Sequence, residues 1–133
     1  MLIVAAAALA IAFAACGASE TDRAGAVAAR YMSALGDRDA ELACRQLTTA
    51  AKHDIARYVR RALPELGTTS CAGVIRGALD LLDDAAVSAL REVKVRSVSI
   101  TGETATAQLE GRSDPVNLIR DDGTWKIARL QFL

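Results

Sequence analysis

Apolar and polar positions change their period twice along this chain. Residues 1–15 are apolar throughout, with no charge and no turn former. From about residue 20 to residue 90, apolar residues recur every three or four positions, the spacing of amphipathic helices. Beyond residue 92 they alternate in short runs bounded by glycine turns, the spacing of strands. In the helical part, Ser19 or Thr21 can cap a first helix, with Asp22 three after Ser19 making an imperfect capping box. Its stripe is Ala24, Val27, Ala28, Tyr31, Ala34 and Leu35, and Gly36 ends it. Asp37 can cap a second, shorter helix with Ala40, Ala43, Cys44 and Leu47 inward. Thr48 or Thr49 starts a third, with Ala51, Ile55, Tyr58, Val59 and Ala62 inward, and Pro64 stops it. Residues 65–70 read as a loop. Ser70 then caps a fourth helix with the stripe Cys71, Val74, Ile75, Ala78, Leu79 and Leu82. Asp83 or Asp84 caps a last short helix through Leu90.

Four β-rich runs follow, with turns at Thr101-Gly102-Glu103, Gly111-Arg112-Ser113-Asp114 and Asp121-Asp122-Gly123-Thr124. Consecutive runs joined by such turns predict an antiparallel four-stranded meander. Val93 and Val95 share one face, Val98 and Ile100 the other, so a bulge or bend is expected near Arg96-Ser97. Ala105, Ala107 and Leu109 share a face of the second strand, Val116 and Leu118 of the third, Trp125 and Ile127 of the fourth. A second phase shift follows toward Leu130. A single such sheet cannot bury its inner face alone, so the helices must cover it. The expected class is α+β, N-terminal helices packed on a curved four-stranded antiparallel meander.

Composition narrows the field. The 133 residues are enough for one domain. Sixteen basic residues balance sixteen acidic ones, which argues against a nucleic-acid partner. Just over half the chain, 52%, is hydrophobic, but much of that is alanine and aromatic residues are few, so a core of small residues is expected.

The apolar start is shorter than the roughly 20 residues a spanning helix needs. It reads as a secretory signal ending in small residues. Phe13-Ala14-Ala15-Cys16-Gly17 resembles a bacterial lipobox, with Phe13 where leucine is usual. That resemblance implies removal of residues 1–15, lipidation of Cys16, and a short tether over residues 16–20. The resulting protein would sit on the extracytoplasmic face of the cell membrane, held by its lipid. No lysine or arginine precedes the apolar run, and the expected start codon lies upstream of Met1. The alternative is a buried N-terminal helix with an incidental cysteine.

In an exported protein, Cys44 and Cys71 on apolar helix faces read as a disulfide. Two buried free thiols are the other reading. The single histidine, His53, falls on another face, so no metal site is expected. His53 shares its face with Lys52, Arg57, Arg60 and Arg61. Such a face can meet anionic lipid headgroups or simply be solvated.

Ala28-Ala29-Arg30-Tyr31-Met32-Ser33-Ala34-Leu35-Gly36-Asp37 resembles the first helix and turn of the nuclear transport factor 2-like superfamily, which includes ketosteroid isomerases and polyketide cyclase-like proteins. Asp122-Gly123-Thr124-Trp125-Lys126-Ile127 resembles its final hairpin. The paired cysteines in Leu42-Ala43-Cys44-Arg45-Gln46-Leu47 and Ser70-Cys71-Ala72-Gly73 look like an actinobacterial-type lipoprotein branch. The resemblance covers residues 21–133 and implies a cone, a curved sheet closed over helices with a pocket at one end. The usual early β-hairpin is replaced here by helical pattern.

The resemblance also implies that Tyr31 matches a first-helix tyrosine used as an oxyanion donor by the isomerases. Such an enzyme needs a carboxylate base as well. The carboxylates after Glu92 lie in turns or at strand ends, and Asp54, the nearest substitute, lies on a polar helix face. Tyr31 can equally be a core residue, and Trp125 a packing residue or a ligand platform. The candidate pocket is Tyr31, Val74, Leu79, Ala107 and Trp125, and it is expected to be apolar. The expected function is a non-catalytic binding or interaction module without a cofactor, its ligand a small hydrophobe. An isomerase or cyclase using Tyr31 and a pocket acid, and a structural envelope protein, are the alternatives.

Overall fold

The computed structural model describes residues 19–129, so Cys16 and the N-terminal segment lie outside the described residues. Helix α1 spans Glu20–Gly36. The Ser19 hydroxyl accepts from the Asp22 amide at 3.2 Å, and the Asp22 carboxylate accepts from the Ser19 amide at 3.3 Å, a complete capping box. The stripe from Ala24 to Ala34 is buried, and Met32, outside that stripe, is buried with it.

Helix α2 is Ala40–Arg45, and its cap is Asp39 rather than Asp37. The chain reversal after Gly36 uses two residues, Asp37 and Arg38, the latter at φ 57°. Asp39 is therefore the first carboxylate placed to accept from the Leu42 amide, at 3.0 Å. Asp37 pairs with Arg91 instead. Helix α3, Thr49–Ala62, is capped by Thr48. Ala51, Ile55 and Val59 are buried, but Tyr58 and Ala62, expected inward, are exposed. They lie at the margin of the buried stripe, Tyr58 being 39% exposed. Pro64 ends the helical run and opens a 3-10 turn, Pro64–Leu66, inside the expected loop.

Helix α4, Cys71–Asp80, is capped by Ser70, and α5, Asp84–Ala89, by Asp83. Because α4 stops at Asp80, Leu82 is not carried inward as expected and stays 45% exposed. The Cys44 and Cys71 sulfurs are bonded, with Cα atoms 6.0 Å apart, which ties α2 to α4.

Strands β1 (Val95–Thr101), β2 (Thr104–Leu109), β3 (Val116–Asp121) and β4 (Thr124–Arg129) pair in sequence order, each antiparallel to the next. The register shifts between Val95 and Ser97, at the expected bulge. It shifts again where Asn117 and Leu118 face Arg129 and Ile127, which leaves Ala128 as the extra residue. Asp122 and Gly123, at φ 49° and 74°, make the tight turn that Asp-Gly favours. Ala105, Ala107, Leu109, Val116, Leu118, Trp125 and Ile127 form the buried face, covered by α1 and the helices beside it. At the β4 edge, the link between α2 and α3 adds a short parallel pairing. The Ile127 amide donates to the Gln46 carbonyl at 2.7 Å, and the Thr48 amide donates to the Ile127 carbonyl at 3.0 Å.

Candidate functional site

The helices cover the sheet closely but do not fill the space among themselves. A cavity of about 210 Å³ lies between α1, α3 and α4. Tyr31 and Leu35 come from α1, Ile55 and Tyr58 from α3, Val74 and Leu79 from α4. Each contributes from the apolar stripe that sequence periodicity had marked. Ala78 supplies only a methyl group to the α4 wall, and Leu82 and Tyr58 form exposed parts of the rim.

Tyr31, Val74 and Leu79 line this cavity, whereas Ala107 and Trp125 do not. The expected boundary with the meander is corrected for a physical reason. The sheet face is filled by direct packing, Ala107 being fully buried and Trp125 3% exposed. The open space is left one layer further out, among the helices.

The wall is apolar. Among the described residues no carboxylate and no histidine lines it, and the one charged contributor is Arg112 of the β2–β3 loop. Asp54 points outward and pairs with Arg57. His53 lies on the exposed side of α3. Burial pushes the Tyr31 hydroxyl well above the ordinary tyrosine range, so it stays protonated at neutral pH. No group among the described residues hydrogen-bonds it. With Tyr58 and Arg112 it supplies the polar groups of an otherwise aliphatic wall.

A second cluster was not foreseen. Trp125 Nε1 donates to Glu20 Oε2 at 2.9 Å, and Arg120 donates to the same oxygen at 2.9 Å. Arg120 also makes a two-pronged pair with Glu103, both contacts at 2.9 Å, and its guanidinium lies 5.3 Å from the Trp125 ring centre. The indole hydrogen bond, then the Arg120 charge, hold the Glu20 carboxyl below its usual range, against partial desolvation. The Arg120 hydrogen bonds do the same for Glu103. Part of this was legible, because a two-residue turn places Arg120 opposite Trp125. Glu20, at the other end of the chain, carried no such signal. The cluster pins the start of α1 to the last hairpin, and Trp125 serves there as a packing and anchoring residue.

Fold and cavity together define an α+β domain with an apolar pocket among its helices. No protein family, curated protein or solved structure matches the chain.

Proposed function

We propose that this chain is an exported lipoprotein, anchored through Cys16, whose nuclear transport factor 2-like domain binds a small hydrophobic ligand without chemically changing it. The single observation behind this reading is the cavity, about 210 Å³ and walled by aliphatic side chains and Tyr31. An aliphatic cavity of roughly 150 Å³ in another protein stays dry and takes up benzene, so this volume suits a compact hydrophobe or the end of one acyl chain. General acid–base catalysis would need an acid or base in reach of the ligand, and among the described residues the wall holds no carboxylate or imidazole. The balanced charge of the chain agrees with a partner other than nucleic acid.

Native mass spectrometry of the exported full chain tests this. The expected spectrum carries two added masses, the lipid on Cys16 and a hydrophobic ligand released on activation. Ala78→Trp, which fills the α4 wall, should abolish the second mass and keep the first. A ligand mass that persists in Ala78→Trp, or that never occurs in the parent, rejects the cavity as the binding site.

A further inference from the structure

The cavity is apolar inside, but its mouth is unequally charged. Tyr58 is the shared wall between the cavity and a shallow surface groove bordered by Asp54, Arg57, Arg61 and Ala62. These residues adjoin because positions three and four apart share a helix face. Asp54 in this groove is already engaged by Arg57. Arg61, three residues after Tyr58, makes no ion pair among the described residues. Further round α3, His53, Arg57 and Arg60 border a second shallow groove. At the end of α4, exposed Leu82 lines the cavity, and its neighbour Leu81 is exposed as well. The acids beside them are occupied, Asp80 and Asp84 with Arg38, and Asp83 with the cap of α5. Arg112 adds a further cation to the cavity lining, with interactions of its own. An apolar interior therefore opens beside an uncommitted cation, on the α3 side.

Resting on the hydrophobe-binding reading above, we infer that the ligand is a single-chain amphiphile with an anionic headgroup. The chain enters between α1, α3 and α4, and the headgroup stays at the surface against Arg61. The volume has room for part of one chain rather than for two. Free fatty acids and single-chain phospholipids share this chemistry. An exposed charge contact of this kind changes affinity by about three- to fivefold and is screened by salt.

The test uses the full chain in phosphatidylcholine nanodiscs and three probes with a photoreactive group in a dodecyl chain: the carboxylate, the alcohol and the ammonium. Crosslinks to peptides carrying Ile55 and Val74 report occupancy of the cavity. Ratios are compared between parent and Arg61 variants, so each probe's partition into the disc cancels. Relative to the alcohol, the carboxylate should lose about three- to fivefold in Arg61→Glu and keep its labelling in Arg61→Lys. Its advantage should shrink at about 1 M salt, where the screening length is about 3 Å. Competition by unlabelled laurate against lysophosphatidate separates the two sources. A carboxylate-to-alcohol ratio indifferent to Arg61→Glu, or a preference for the ammonium, overturns the headgroup assignment and leaves the cavity reading standing. If none of the three probes labels the cavity peptides, both fall.

Discussion

Gly36→Ala should destabilise the protein although it improves a helix former. Gly36 is the last residue of α1, and its φ is not positive, so alanine meets no backbone conflict there. Propensity alone predicts a gain of up to about 1 kcal/mol, less at a helix end. The space is the problem. A Cβ at Gly36 would lie 2.6 Å from Arg91 Cγ and 2.7 Å from the Arg91 backbone nitrogen. The side-chain carbon can rotate away, but the backbone nitrogen cannot. Relief requires α1 to move off the turn that leads into β1. Overpacking of this kind costs about 1–3 kcal/mol, which leaves a net loss of about 1–2 kcal/mol. Gly25→Ala is the matched control on the same helix. There the closest atom is a methyl of Val98, 3.2 Å away on a partly exposed strand, which can yield by a few tenths of an ångström. Gly25→Ala should be neutral or stabilising by about 0.5 kcal/mol, since the propensity gain applies mid-helix. Urea unfolding followed by the fluorescence of Trp125, the only tryptophan, measures both. A Gly36→Ala midpoint equal to or above the parent's would refute the claim that the α1 terminus is held by backbone contact.

Reducing the Cys44–Cys71 bond, which spans 27 residues, should cost about 3.5 kcal/mol by loop-closure entropy, read as a lower urea midpoint in dithiothreitol that is absent in a Cys44→Ala/Cys71→Ala variant. Glu20 and Glu103 have carboxyls held below their usual range, so they contribute stability above the unfolded-chain pKa that is lost as pH falls through the lower, folded values. Arg120→Met should therefore flatten the acid side of the stability profile, and an unchanged profile would exclude the cluster as its source. Cys16→Ser should release the protein from membranes or block its processing, checked by fractionation and intact mass.

The strands and their order were legible because each turn carries its own chemistry, Asp122-Gly123 most clearly, and because the phase breaks at Arg96-Ser97 and beyond Ile127 register as bulges. Helix faces were legible too, with errors where a helix ended early. Leu82 keeps the right spacing for the α4 stripe, yet α4 stops two residues before it. Tyr58 errs for a different reason, since periodicity gives a stripe's direction and not its width. The cavity could not be located this way. Periodicity says which side of a helix is buried, but not which buried sides fail to meet. Hence Tyr31, Val74 and Leu79 converge on the cavity, while Ala107 and Trp125 pack closely one layer below. The Glu20–Arg120 contact joins residues 100 positions apart, a distance over which local pattern carries no information.

The parallel pairing of Leu47 with Ile127 gives the disulfide a second consequence. Cys44 lies only two residues before Gln46, whose carbonyl occupies the outer edge of β4. The bond to Cys71 thus also keeps a strap over an edge that would otherwise offer free amide and carbonyl groups to another chain. At the far edge, β1 is interrupted by its bulge and carries Arg96, both of which discourage strand addition. Oxidation is therefore linked to solubility as well as to folding energy. In a reducing compartment the strap loses this tie, and β4 is the edge through which two copies would pair.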